Sequence, residues 1–445
     1  MRRIALLALA LALPAPPLSA DDVLAPPTAP LDARIDGEKI TRLELPKLPD
    51  PVVQPLPAIH RIAFRAGESG VSPESYAAAR KAIDRGLAYL RARQAADGSW
   101  FRNVDVSPTD LPRAKGASLA VTGLAIKAFT QVREDGKEVD IALARATRFL
   151  VESLRAGGLR EAADGGVGTY VASSIVMGLA STGEHAYAEL IDESVRWMTA
   201  NQWDQGEGVG ADADWFGGAG YGRGKRPDLS NTQMMLDALH DAGTSPDDPA
   251  VQRALAFVQR TQNLKSNSAP WAQSGSGDGG FIYSPANGGE SFASENAGEG
   301  RYGEIRPEDA PRSLRSYGSM TYAGFKSLLY AGLSPDDPRV RAAFDWIRRN
   351  FTFDENPGLG LQGHYYYLHA MARALQAARQ ESIDTADGAK RAWRDELVAA
   401  LVKRQREDGS WVNSAERWEE SRPELVTVYA VLALEEALKP VRSVE

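Results

Sequence analysis

Apolar positions recur with helical spacing through most of the chain, in two kinds of run. The first kind begins after Ser72-Pro73-Glu74, where a serine cap and a proline in the first turn predict a helix start. Ile83, Leu87 and Leu90 fall on one face of that helix. Lys81, Asp84, Arg85, Arg91 and Arg93 fall elsewhere, which predicts an amphipathic outer helix. The second kind, 117–129, carries one charge, Lys127, and is apolar nearly all round, so it predicts a helix buried on most sides.

The two kinds alternate along the chain. An aromatic–aliphatic pair marks each outer helix: Tyr89-Leu90, Phe149-Leu150, Trp197-Met198, Phe257-Val258 and Trp346-Ile347, with Ala400-Leu401 in the same place in the last. Steps between the aliphatic members are 60, 48, 60, 89 and 54 residues. Buried helices are predicted near 117–129, 169–180, 229–242, 316–331, 362–377 and 423–438. Six helical hairpins of one repeat predict an all-α array, closed or solenoidal, with the nearly apolar helices inside and the amphipathic ones outside. A Gly/Ser/Asn-rich insertion at 264–312 accounts for the long step. It is flanked by Ala242-Gly243-Thr244-Ser245-Pro246-Asp247-Asp248-Pro249 and Ala331-Gly332-Leu333-Ser334-Pro335-Asp336-Asp337-Pro338. In each, glycine ends an inner helix and Asp-Pro starts an outer one, so the aspartate pairs read as caps, not as metal ligands.

Before this domain (72–440, with 441–445 as a tail) the pattern changes. Residues 21–71 hold eight prolines and no helical period, which predicts an extended linker or an arm on the domain surface. Residues 1–20 join Arg2-Arg3 to an apolar run of ten, Ile4 to Leu13, and end in Leu18-Ser19-Ala20. Ten residues fall short of the roughly 20 that cross a bilayer, so this segment is expected to be a Sec-type signal peptide. The mature protein is then exported, periplasmic or extracellular, and not membrane-spanning. Loss of Arg2 and Arg3 takes the formal charge from −8 to −10, which argues against nucleic acid as a partner. The chain has no cysteine. That removes disulfides, thiol nucleophiles and thiolate metal sites, and suits an oxidising compartment. No metal and no cofactor is expected, and nothing in the sequence marks an oligomeric state.

Two copies of one motif bracket the domain: Gln94-Ala95-Ala96-Asp97-Gly98-Ser99-Trp100 and Gln405-Arg406-Glu407-Asp408-Gly409-Ser410-Trp411. Gln262 with Asp278-Gly279-Gly280-Phe281 resembles a third copy, and Gln202 begins a degenerate fourth. Together they resemble the QW-type repeat of the squalene cyclase and protein prenyltransferase β-subunit superfamily, over roughly 75–440. The resemblance implies that family's all-α, α6–α6 toroid, with an apolar inner ring and an amphipathic outer ring, the glutamine capping a neighbouring helix end and the tryptophan stacked nearby. The chemistry of that superfamily does not carry over. Its class II cyclases use a D-x-D-D acid motif at the cavity end of an inner helix, and the nearest string here, Asp212-Ala213-Asp214-Trp215, lacks the last aspartate. Its prenyltransferases bind zinc through Asp, Cys and His, and cysteine is absent.

In such toroids the inner-helix starts and their loops form the mouth. Those segments supply Trp215, Tyr221, Asn231, Gln233, Phe281, Tyr317, Tyr322, Tyr365 and Tyr366, aromatic faces and amides suited to a small molecule, glycan or peptide. His364, at a helix start that lowers its pKa, is the candidate general base, with Asp214 or Glu424 as acid partner. Three functions remain open: a binding or scaffold protein, a glycan-active lyase or hydrolase, and an atypical isoprenoid-processing enzyme. A cavity plugged by Tyr365, Tyr366 and Tyr367 favours the first, paired carboxylates the second, and a deep apolar shaft the third.

Overall fold

The computed structural model describes residues 68–100, 111–132, 140–164, 166–222, 224–285 and 315–441. The expected signal peptide, the arm up to residue 67, the 286–312 part of the insertion and the tail from 442 lie outside them. Half-polar runs form an outer layer: α1 (Pro73–Arg93), α3 (Ile141–Arg155), α6 (Ala188–Ala200), α8 (Pro249–Arg260), α11 (Pro338–Arg349) and α13 (Trp393–Arg404). Apolar runs form an inner one: α2 (Leu111–Gln131), α5 (Gly168–Ser181), α7 (Leu229–Asp241), α10 (Gly318–Tyr330), α12 (His364–Ala377) and α14 (Pro423–Leu438). Short helices α4 (Gly158–Asp164) and α9 (Pro270–Ser274) fill loops, and β1 (Ile383–Asp384) pairs antiparallel with β2 (Lys390–Arg391).

The inner layer closes on itself. Helix α2 packs on α5, α5 on α7, α7 on α10, α10 on α12, α12 on α14, and α14 returns to α2. The protein is therefore an all-α toroid. Inner helices run the same way, as their first residues show. Gly168 N–H donates to the Tyr221 carbonyl, Leu229 N–H to Tyr283 and Gly318 N–H to Pro357, each at 2.8 Å. Tyr366 N–H donates to Glu420 Oε1 at 2.8 Å. Each of these four inner helices thus begins beside the loop leading into the next, and their starts gather at one rim. No described helix is long and apolar enough to cross a membrane.

The glutamine turns clasp the outer layer together. Gln94 Nε2 donates to the Gly98 carbonyl at 2.9 Å and to the Ala142 carbonyl, in the first turn of α3, at 2.8 Å. Trp100 Nε1 donates to the Leu90 carbonyl near the end of α1 at 2.8 Å. One turn therefore joins the end of one outer helix to the start of the next. Gly98 has φ +96°, and a Cβ there would collide with the Arg145 carbonyl, so the close approach requires glycine. Gln202, Gln262 and Gln405 repeat the arrangement on Ala250, Arg339 and Ala82. The last of these ties residue 405 back to α1 and closes the outer layer. The Asp-Pro caps form as expected: Asp248 accepts from Ala250 N–H at 2.8 Å and Asp337 from Arg339 N–H at 2.9 Å.

Candidate functional site

Three inner helices, α5, α12 and α14, each keep one tyrosine partly open within an otherwise buried stretch. Every residue of α5 but Tyr170 is buried, and past the first turn of α14 every residue but Tyr429 is. In the first three turns of α12 the exception is Tyr366. With Tyr221, from the loop before α7, these side chains lie deep among other chain atoms and are still half-open. Tyr170, Tyr366 and Tyr429 all lie within electrostatic reach of Tyr221, so their half-buried surfaces gather in one place, a tyrosine-lined hollow at the inner helices. Tyr170 and Tyr221 stack with centroids 5.8 Å apart, and the Tyr221 hydroxyl is 3.4 Å from that of Tyr283. Burial pushes the Tyr221 hydroxyl up to about 12, so it stays neutral and available as donor and acceptor.

Two carboxylates stand at this rim, each at the start of an inner helix. Asp228 caps α7, accepting from Ser230 Oγ at 2.7 Å and from Asn231 N and Nδ2, both at 2.8 Å. Burial raises its pKa although these bonds oppose the shift. Asn231 Oδ1 is buried with no hydrogen-bond partner among the described residues. The string here, Asp228-Leu229-Ser230-Asn231, has an acid only at the first of the three acidic places of D-x-D-D. Glu420 caps α12, accepting from Tyr366 N–H at 2.8 Å, Tyr365 N–H at 3.2 Å and Asn413 Nδ2 at 2.6 Å. Burial outweighs these donors and raises it to about 7.

Below the hollow the ring is filled with charge. Gln233 Nε2 donates to the Tyr366 hydroxyl at 2.8 Å, and Gln233 Oε1 accepts from Lys326 Nζ at 2.8 Å. Lys326 also holds Asp237 at 2.6 Å; Arg373 holds Asp241 at 2.6 Å, and Lys127 reaches Asp241 from α2 at 2.5 Å. Burial lowers Lys326 to about 8. Against the cost of burial, Arg373 and Lys127 hold the Asp241 carboxyl well below its usual range. Gln233, Lys326, Tyr366 and Tyr429 border a void of about 10 Å³, about what one water occupies.

The candidate residues divide accordingly. Tyr221 and Tyr366 stand at the hollow, Gln233 is buried against Tyr366, Asn231 is buried in the first turn of α7, and Tyr317, buried as the residue before α10, lies within electrostatic reach of Tyr221 and Tyr366. Others pack between the layers. Phe281 lies against Gly324, Tyr322 is edge-on to Tyr367 at 5.6 Å, and Tyr365 sits beside His364 at 5.6 Å. Trp215 is edge-on to Trp203 at 4.7 Å in the outer loop. Tyr365, Tyr366 and Tyr367 do not act together as a plug: Tyr366 keeps open surface, while Tyr365 and Tyr367 are buried, Tyr367 with its hydroxyl on the Thr352 carbonyl.

The proposed base and its acids are not brought together. His364 Nε2 meets the Phe353 carbonyl at 3.1 Å, and burial, with Arg404 next, lowers the ring to about 4. It is neutral as expected, through burial more than the helix start. Asp214 lies near Arg260, with burial raising its pKa, and Glu424 pairs with Arg93 at 3.5 Å. Among the described residues no three His, Cys, Asp or Glu side chains gather as metal ligands would.

Sequence reasoning missed Asp228, Glu420, Tyr429 and the charged floor. Asp228 carried a signal, since Asp followed by Ser and Asn two and three places on is a helix-start pattern. Lone charges inside near-apolar helices, Lys127, Lys326 and Arg373, marked the floor.

No protein-family profile matches the chain, and no curated protein sequence does. Solved structures similar to it include a protein from Actinoplanes, 14% identical, TM-score 0.35, covering 81% of this chain and 99% of its own. The type II terpene cyclase MstE from Scytonema, as a variant bound to geranylgeranyl dihydroxybenzoate, is 13% identical with TM-score 0.48, over 83% of this chain and 99% of that one. Its apo form gives 13% and 0.33. Scores this low carry nothing about chemistry, which rests on this chain's own residues.

Proposed function

We propose that this is an exported, non-catalytic binding toroid of the squalene cyclase and prenyltransferase β-subunit superfamily, and that it takes a saccharide in the tyrosine-lined hollow. The observation that carries the reading is the set of half-open tyrosines, Tyr170, Tyr221, Tyr366 and Tyr429, in otherwise buried surroundings. Flat faces stack on sugar rings, while phenol hydroxyls bond to sugar hydroxyls. Both rim carboxylates already serve as helix caps, which supports binding over acid catalysis. Ion pairs fill the ring below, leaving no apolar shaft there for an isoprenoid chain. Export rests on residues 1–20, and superfamily membership on the four glutamine turns.

Thermal-shift measurements on the mature chain with oligosaccharides, isoprenoid diphosphates and peptides test this. Oligosaccharides should stabilise the protein, and the Tyr221→Ala/Tyr366→Ala double variant should lose that shift. Stabilisation by isoprenoids alone, or by nothing, contradicts the reading. One observation favours a second reading, glycan hydrolysis: Glu420 is raised to about 7 beside the hollow, where a general acid would be useful. Reducing ends released by the wild type and not by Glu420→Gln would replace the binding reading with that one.

A further inference from the structure

Two groups that can only donate fix the direction of a run of hydrogen bonds beneath the hollow. The first is Lys326 on α10, 1% exposed. Burial lowers its pKa to about 8, so at neutral pH and below it is an ammonium, held to Asp237 at 2.6 Å. An ammonium has no acceptor. The atom of Gln233 that meets it at 2.8 Å is therefore the amide oxygen Oε1, and the amide nitrogen faces the other way. That nitrogen is the second donor-only group, and it meets the Tyr366 hydroxyl at 2.8 Å.

Side-chain amides and hydroxyls are ordinarily ambiguous in direction. Here Lys326 fixes Gln233, and Gln233 fixes Tyr366. The phenol oxygen accepts from the amide, so the phenol hydrogen points elsewhere. Among the described residues nothing accepts that hydrogen. Burial, with Tyr429, Asp237 and Asp228 after it, raises Tyr366 well above the ordinary phenol range, so the hydrogen stays in place. A donor left without an acceptor costs free energy, and the half-open side chain leaves this one for a ligand.

We propose that Tyr366 is a specificity-determining residue, oriented by Gln233 and Lys326 to donate only, and that the sugar it reads presents a carbonyl acceptor, as an N-acetylamino sugar does. The inference rests on the saccharide reading above. A sugar ammonium is disfavoured, because it offers no acceptor to the phenol hydrogen and Lys326 already places a positive charge behind Gln233. A plain hydroxyl can accept but must also place its own hydrogen. A carboxylate would accept as well, but Asp237 and Asp228 already set negative charge against the phenol, which favours a neutral carbonyl.

Calorimetric titration in mildly acidic buffer, where sugar amines are ammonium ions, tests this with tetramers of glucose, glucosamine and N-acetylglucosamine in the same β-linkage. The wild type should bind the acetamido tetramer at least tenfold more tightly than the amino one, with glucose between. Gln233→Glu sets a carboxylate between Lys326 and Tyr366. It accepts from both, draws the phenol hydrogen away from the ligand and leaves the phenol oxygen as an acceptor. That variant should cut the acetamido-to-amino ratio at least tenfold. Tyr366→Phe, which removes only the hydroxyl, should lower the ratio too, and it carries the test if the acid variant does not fold. In the Tyr366→Phe background, Gln233→Glu should change the ratio no further; a further change means direct charge on the ligand and overturns the relay. Equal binding of the acetamido and amino tetramers by the wild type, or a ratio unmoved by Tyr366→Phe, also overturns it, and the hollow stands as a saccharide site. If no tetramer binds the wild type, both fall.

Discussion

Glu420 and His364 meet at the first turn of α12 and titrate in opposite senses. Glu420 holds its proton more tightly folded, at about 7, than the ordinary 4.5. Its contribution to stability is full below pH 4.5 and is lost as pH rises through 7. His364 is depressed from 6.5 to about 4, so its contribution is present above 6.5 and lost as pH falls through 4. Between pH 4.5 and 6.5 the two slopes oppose each other in the wild type. Melting curves across that range should uncover each: relative to the wild type, Glu420→Gln should gain stability as pH rises. His364→Gln should lose stability as pH rises. One proton allows at most about 1.4 kcal/mol per pH unit. Curves that stay parallel for all three proteins would refute both assignments.

These residues also show what a sequence conveys. His364 was visible as a histidine at a helix start, and its neutral state followed. Its direction was not, because whether the first turn points to the hollow or to the outer layer depends on Phe353 and Arg404, distant in the chain. Glu420 gave no local sign, since it caps a helix that begins 56 residues earlier.

At the scale of elements, the glutamine turns determine how outer helices follow one another. Each replaces an otherwise unpaired carbonyl contact with an amide donor, and a neutral hydrogen bond of this kind is worth about 1 kcal/mol. Gln405 differs from the rest in reaching back across 323 residues to Ala82. Gln405→Leu should therefore speed amide hydrogen exchange along α1 while leaving α10 unchanged, and Gln94→Leu should act at the α1–α3 junction instead. Equal exchange in α1 for Gln405→Leu and wild type would mean the clasp contributes nothing. Gly98→Ala should be harsher, costing about 2 kcal/mol or more in a chemical melt, because the strain of a left-handed alanine adds to the collision with Arg145. The hairpin period and the caps were readable because each uses neighbouring residues. The threonines that take the turn's next N–H, Thr122 from Trp100 and Thr427 from Trp411, belong to inner helices and were not.

The whole molecule is organised by the parallel course of its inner helices. Their positive ends converge at the rim, where Asp228 and Glu420 accept backbone N–H groups, and their negative ends converge below, where Lys127, Lys326 and Arg373 gather. Arg394 continues the pattern, donating to the Ala437 carbonyl at the end of α14 at 2.8 Å. The charged floor is thus the counterpart of helix ends brought together, and it closes one side of the ring. Lys326→Met should cost about 3–5 kcal/mol, because Asp237 is left buried with less compensation. Adding Asp237→Asn should cost less in that background than in the wild type, and strict additivity in denaturant melts would contradict the coupling.

The central claim is that a sugar ring lies among Tyr170, Tyr221, Tyr366 and Tyr429. A crystal structure of the mature chain with the tightest-binding oligosaccharide tests it most directly. The account predicts density for a sugar ring stacked on at least two of these tyrosines. Ligand density confined to the outer helices, with the hollow holding water alone, would contradict it.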